Sequence, residues 1–153
     1  MAVNGLDDLI TKLTKLSNVD DELLDICERE VKMIENEAKT LCPVDTGNLR
    51  NSISSQVEKT VDGVLGVVFT NSEYAPYVEF GTGIVGQNNP CESARELGIT
   101  YKQEGWVYTP DGGSHFYYTE GQPPKPFMYP ALKNNEDKVI ENIAKEIENI
   151  LKK

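Results

Sequence analysis

The sequence predicts an α+β fold, an antiparallel sheet with N-terminal helices and a long C-terminal helix packed on one face. Apolar residues recur at helical spacing in residues 1–42 and again from about residue 130. Between these parts, residues 53–70 first alternate apolar and polar positions and then form a short apolar run. Helices and strands that occupy separate parts of a chain are typical of this class. We expect one domain, since 153 residues are hardly enough for two.

Residues 1–42 predict two N-terminal helices. The pair Ser17-Asn18 interrupts the first apolar stripe and offers a capping side chain to a second helix, expected from Val19 to about Leu41. Pro43 ends that helix, because the residue before a proline is pushed out of helical geometry. The first stripe consists of Leu6, Leu9, Ile10, Leu13 and Leu16.

A sharp corner follows the second helix. Within residues 43–50, Asp45 or Thr46 can cap a short helical turn, and Gly47 relaxes the backbone there. From Ile53 the pattern changes to a period of two, which predicts a strand with one buried face.

Residues 48–83 as a whole predict a hairpin and then a short helix. Asp62-Gly63 supplies a tight turn into the return strand, residues 64–70. That strand is apolar on both faces, so we expect a helix or a neighbouring subunit on each side. Pro76 suits the first turn of the short helix and Gly81 suits its exit.

Residues 84–121 predict an irregular excursion followed by an aromatic hairpin. Residues 84–104 lack periodicity, and a long loop on a compact domain is often functional. In the hairpin, residues 106–108 and 115–118 flank the turn at residues 110–113. Its aromatic side chains can serve either core packing or an assembly contact.

The last segment, residues 122–153, predicts a stiff proline-rich linker and an amphipathic helix. The linker covers residues 122–126, and the helix runs from about Pro130 to Leu151. No apolar stretch is long enough to span a bilayer, and no secretion signal is visible. We therefore expect the protein to be made and kept in a cytoplasm.

The chain carries a formal net charge of −10, which argues against direct DNA recognition. An acidic surface repels a phosphate backbone and gains nothing from counterion release. The acidity has two open explanations. It favours solubility, or it lines a passage through which DNA moves without sticking.

No constellation of catalytic or metal-binding residues is present, and we expect no enzyme activity, no metal and no cofactor. The single histidine, His115, cannot build a triad or a multi-histidine zinc site. No phosphate-binding glycine motif occurs. Asp45 is expected to cap the corner, while Glu79 has either a buried partner or a charge contact to another subunit. Structural or inert roles are expected for the three cysteines, Cys27, Cys42 and Cys91.

Three strings occur in a fixed order: residues 42–53 (CPVDTGNLRNSI), residues 74–82 (YAPYVEFGT) and residues 124–132 (PKPFMYPAL). With the closing amphipathic helix, they resemble a large family of small tailed-phage proteins, called head–tail joining, neck or tail-completion proteins. The resemblance runs from about residue 20 to the C-terminus. It leaves residues 84–104 unmatched.

The resemblance implies a structural virion protein that assembles into a ring, expected to be hexameric, at the head-proximal end of a tail. The ring would complete the tail and contact the head connector or head-closure protein and the tail terminator or tail-tube protein. It implies no catalytic residue. The matching positions, read as fold corners or subunit contacts, are Pro43, Asp45, Thr46, Gly47, Leu49, Tyr74, Ala75, Tyr77, Val78, Glu79, Gly81, Thr82, Pro126, Phe127, Pro130, Ala131 and Leu132.

A closed ring of head-to-tail contacts would also cover the sheet edges of such a small subunit. We expect the segment Tyr74–Thr82, including Phe80, and the aromatic hairpin to contribute to this contact. The hairpin residues concerned are Trp106, Tyr108, Phe116 and Tyr118.

Other assignments stay open. The chain can be the tail terminator or head-closure protein of the same particle, or belong to a headless phage-tail-like particle. A small cytoplasmic enzyme or a regulator that binds a host protein is the alternative outside the particle. Raised carboxylate pKa values in one pocket would favour the enzyme, and absence from purified particles would favour the regulator.

Overall fold

The computed structural model describes residues 6–61, 63–110 and 112–152, with side chains from residue 21 onward except residue 151. Contacts divide the chain into two compact units. Unit 1 contains the residues up to 36, residues 54–69 and the residues from 133 onward. Unit 2 contains residues 37–53 and 70–132. The assignment to one domain stays a prediction.

One continuous helix, α1 (Leu6–Leu41), stands where two helices were predicted. The break at Ser17-Asn18 is therefore wrong. Serine and asparagine cost only about 0.5 kcal/mol each in a helix interior, and neither proline nor glycine occurs between Leu6 and Leu41. The helix ends before Pro43, as predicted. The predicted stripe from Leu6 to Leu16 lies outside the described side chains.

Two eight-residue strands, β1 (Ile53–Thr60) and β2 (Gly63–Thr70), form the predicted hairpin. Asp62 of the predicted turn lies outside the described residues. The period of two is confirmed along β1, where Ile53 is buried while alternate polar residues such as Ser54 and Glu58 are exposed. On β2 the side chains of Leu65, Val67 and Phe69 are exposed. Among the described residues of unit 1, nothing covers this second face of β2.

Helix α1 covers the other face of the hairpin. A β-carbon on Gly66 would collide with Val31 on α1. The buried Glu35 accepts hydrogen bonds from the Ser55 hydroxyl and from Lys32 Nζ, the latter at 2.8 Å. Sheet and helix are therefore in direct contact through small and polar side chains.

Unit 2 is built from short elements. In chain order they are α2 (Asn48–Ser52), α3 (Ala75–Phe80), α4 (Gly83–Asn88), α5 (Glu92–Glu96), β3 (Trp106–Tyr108), β4 (Tyr117–Thr119) and β5 (Gly121–Gln122).

The irregular excursion predicted at residues 84–104 is wrong, because α4 and α5 lie there. Helices of five or six residues are too short to show an apolar period. The predicted strand at residues 115–118 begins only at Tyr117, so His115 and Phe116 lie in the loop. The antiparallel register pairs Trp106 with Thr119 and Tyr108 with Tyr117.

The long C-terminal helix is α6 (Met128–Lys152). It begins two residues before the predicted Pro130. In unit 1, Asn142 Nδ2 donates to both carboxylate oxygens of Glu30 on α1, at 3.1 and 3.2 Å. No helix in the described part of the chain is long and apolar enough to cross a membrane.

The α+β class is confirmed, with a long C-terminal helix. The strands form two separate two-stranded sheets, β1–β2 and β3–β4. The expected single sheet does not form because each hairpin belongs to a different compact unit.

Candidate assembly surface

Glu79 joins α3 to the start of α6. It is 5% exposed, and its carboxylate accepts the N–H groups of Phe127, Met128 and Tyr129 at 2.7, 3.0 and 3.0 Å. The first four N–H groups of a helix have no partner within the helix. Here the fourth position is Pro130, which has no N–H. One carboxylate thus satisfies every donor that the start of α6 leaves open.

This arrangement explains how a carboxylate can be buried in unit 2. An ionised group away from water is costly unless hydrogen bonds replace its hydration. Bonds from N–H groups to a carboxylate are stronger than neutral ones, and a helix N-terminus carries partial positive charge. Of the two alternatives for Glu79, the structure shows the buried partner.

The proline-rich linker lies along α3. Lys125 donates its N–H to the Val78 carbonyl at 2.8 Å. Gln122 donates its Nε2 to the Tyr77 carbonyl at 2.8 Å and its backbone N–H to Thr82 Oγ1 at 3.1 Å. These bonds hold the linker in the extended form predicted for it and bring it to Glu79.

Close backbone contact explains the glycines of this region. Gly81 has φ 75°, and a β-carbon there would lie 2.7 Å from the Gln122 carbonyl oxygen. Gly83 and Gly121 face each other in an antiparallel bridge. A β-carbon on either would collide with the opposite backbone. The exit predicted at Gly81 is confirmed, and the two partners of the bridge were not foreseen.

The corner at residues 43–50 has the predicted sharp geometry. Gly47 adopts φ 84° at the start of α2. Gly47 is itself the N-cap residue and α2 has no side-chain cap, so the cap predicted for Asp45 or Thr46 is wrong; Thr46 Oγ1 accepts only the Asn48 N–H, at 3.4 Å. Leu49 is buried beneath the turn.

A cavity of about 420 Å³ lies between this corner and the linker. Its walls are corner residues including Asp45, the side chains of Tyr74 and Val78, and the linker. All three strings therefore meet in unit 2.

Four aromatic residues, Tyr74, Tyr77, Trp106 and Tyr108, surround a shallow groove of about 500 Å³. They are called the aromatic surface below. Tyr74, Tyr77 and Tyr108 are 46%, 58% and 47% exposed, whereas Trp106 is half-buried. Of the two roles considered for the hairpin aromatics, core packing is therefore wrong for Tyr108. Grouped aromatic side chains that are left exposed are enriched at protein contact surfaces.

The other two predicted hairpin residues lie elsewhere. Tyr118 pairs with Val107 and so points to the opposite face of the hairpin, at 66% exposure. Phe116 lies in the loop and is 75% exposed. Tyr117, also part of the predicted aromatic hairpin, pairs with Tyr108 on the same face, with ring centroids 5.8 Å apart.

A family model matches residues 7–81, and its description reads "Bacteriophage HK97-gp10, putative tail-component". Over this segment the chain is similar to the HK97-gp10-like family. The resemblance to small phage tail proteins is thus confirmed for the first two strings. No curated protein and no solved structure matches the chain.

The HK97-gp10-like segment ends at Gly81, so the third string lies beyond it. The structure links the two parts, because Glu79 within the segment binds the N–H groups of residues 127–129 outside it. Phe127, the largest fully buried side chain among the described residues, lies at this link. Pro126 precedes it and Pro130 follows it, both half-buried.

The described part of the chain contains no cluster of three or more His, Cys, Asp or Glu side chains arranged to hold a metal ion. His115 is exposed in its loop. Burial raises the pKa of the Cys42 thiol, which outweighs the opposing effect of Arg50. Burial likewise raises the pKa of Cys27, helped by Glu30. Both thiols are therefore held in the unreactive protonated form.

Proposed function

We propose that this chain is a non-catalytic structural protein of the phage neck, where copies form a ring that completes the tail and joins it to the head connector. The observation that carries the proposal is the coincidence of a tail-component family match with an uncovered aromatic surface. Isolated soluble proteins rarely leave large aromatic side chains uncovered in one place. A particle subunit covers them when it assembles.

In this proposal the buried residues of unit 2 position α3 and the linker, and the exposed residues of the aromatic surface contact the neighbouring subunit. Glu79, Gly81 and Phe127 hold α3 and the linker in place from inside. Tyr74 and Tyr77 project from the same helix region toward solvent. The buried set therefore gives the exposed set a rigid base, which lowers the entropy lost on contact with a neighbouring subunit.

Deletion of the gene is the direct test of the neck assignment. We expect filled heads beside separate tails, or tails of abnormal length, when the lysate is imaged by negative-stain electron microscopy. A plasmid copy of the gene should restore joined particles. Tails of abnormal length would specify the terminator position, and separate tails of normal length the joining position. Normal infectious particles from the deletion strain would contradict the proposal.

The aromatic surface can be tested by Tyr77→Ala. Tyr77 lines the groove, and only its backbone carbonyl is used by Gln122. The truncation should therefore leave the subunit folded and lower the yield of joined particles by about tenfold or more, as expected for loss of an interface aromatic. Phe116→Ala is the matched control, because it removes an exposed aromatic outside the groove. A Tyr77→Ala yield equal to that of the unaltered protein would exclude the aromatic surface as an essential contact.

A further inference from the structure

The β1–β2 sheet has two free edges among the described residues. It contains only these two strands, each eight residues long. A two-stranded sheet is marginally stable on its own, and unpaired edges invite another strand. Helix α1 stabilises the sheet from one face but does not pair with either edge.

A groove of about 1130 Å³ opens along the edge of β1. Three consecutive strand residues, Ser55, Gln56 and Val57, line it. Consecutive residues point to opposite faces of a sheet, so a groove that touches all three must open beside the strand edge. Its other wall is one side of α1.

The α1 wall carries a stripe of charge in two blocks of opposite sign. Asp25 and Glu28 are acidic, and Arg29 and Lys32 are basic. Within each block the positions are three residues apart, and all four share one helix face. The stripe is locally neutral in a chain whose net charge is −10.

We infer that two copies of this chain pair about a two-fold axis, edge to edge along β1 and side by side along α1. The inference goes beyond the proposed function and does not depend on it, because it concerns the free protein in solution and a contact other than the head-to-tail contact of the ring. A two-fold axis perpendicular to the sheet makes β1 antiparallel to β1 of the second copy. The same axis makes the two α1 helices antiparallel on one face of a four-stranded sheet.

Charge complementarity points to a second copy as the occupant of the groove. An axis that passes between residues 28 and 29 places Asp25 opposite Lys32 of the second copy. It also places Glu28 opposite Arg29 of the second copy. Each pair occurs twice, because such an interface is self-complementary. An unrelated peptide would have no reason to match this order of charges.

The spacing of the elements agrees with this arrangement. A β-carbon on Gly66 of β2 would lie within 4 Å of the side chains of both Val31 on α1 and Val57 on β1, so α1 runs above the space between the two strands. With strands about 4.8 Å apart, the two α1 helices would then be separated by about 9.6 Å. Packed helices have axes about 8–10 Å apart. On α1, Glu30 points away from the groove toward Asn142 of α6, while the groove residue Arg29 lies 3.8 Å from Glu146 of α6.

The test is a charge swap in the full chain, followed by analytical ultracentrifugation over a wide concentration range. Wild-type protein should sediment as a dimer of the 17.1 kDa chain. Glu28→Arg or Arg29→Glu alone should raise the dissociation constant at least about tenfold, since each replaces attraction by repulsion at two places. The combination of both substitutions should restore the constant to within about threefold, because opposite charges then face each other again at these two positions.

Two controls separate this effect from loss of folding. Arg29 also lies 3.8 Å from Glu146, so Glu146→Gln removes that pair without altering the groove and should leave the dimer intact. Helix content by circular dichroism should be unchanged in all variants. Amide exchange along residues 54–58 should be slower in the dimer than in the single-charge variants. A monomeric wild-type protein would overturn the inference. So would a folded double variant that stays monomeric, or a larger assembly that none of the charge substitutions disrupts.

Discussion

Glu79→Gln is expected to lower the free energy of unfolding by about 3 kcal/mol. The carboxylate accepts three N–H groups at the start of α6 and is nearly inaccessible to water. A glutamine of the same shape has one acceptor oxygen and an NH₂ group that faces further donors. At least one buried N–H then loses its partner, and the attraction between the charge and the helix terminus is lost.

Thermal unfolding measures this effect directly. The midpoint should fall by about 10 °C, and amide exchange at residues 127–129 should accelerate. Glu73→Gln is the matched control, because it makes the same change of charge on an exposed side chain. If both variants unfold at the same temperature, the carboxylate does not hold the start of α6.

Gly83→Ala is expected to destabilise the chain by about 3 kcal/mol, of which about 1 kcal/mol arises from the positive φ and the rest from overpacking. The β-carbon would collide with the carbonyl group of Glu120, which is backbone and cannot rotate away. The collision would break the bridge between Gly83 and Gly121.

Gly98→Ala separates the two causes. Gly98 has φ 63° and Gly83 has φ 61°, but no atom lies within 4 Å of a β-carbon at Gly98. Only the cost of the backbone conformation, about 1 kcal/mol, should therefore appear in urea unfolding of this variant. Comparable losses from Gly83→Ala and Gly98→Ala would show that the backbone at Glu120 shifts to make room.

Local patterns in the sequence were sufficient for the long elements. The period along α1, the alternation from Ile53 and the stripe of α6 reflect burial of one face, which each segment records in itself. The break at Ser17-Asn18 was overestimated because capping residues also occur inside a helix that other contacts stabilise.

The candidate site depended on partners that are distant along the chain. The alternatives for Glu79 could not be resolved locally, because Phe127 lies 48 positions away. The short helices α4 and α5 lie between Phe80 and Tyr101, whose hydroxyl donates to the Phe80 carbonyl at 3.0 Å, a contact that no local pattern predicts. Exposure of the hairpin aromatics likewise depends on what the rest of unit 2 covers.

The bonds of Glu79 also bear on where this protein can be divided. A fragment ending near Gly81 would contain the whole family-matched segment and yet leave a carboxylate without the helix terminus that neutralises it. A fragment beginning after Gly81 would start α6 with three unsatisfied N–H groups. The segment matched by the family model thus ends before the partners that α3 needs, and a nascent chain cannot complete the surroundings of α3 until the start of α6 has left the ribosome.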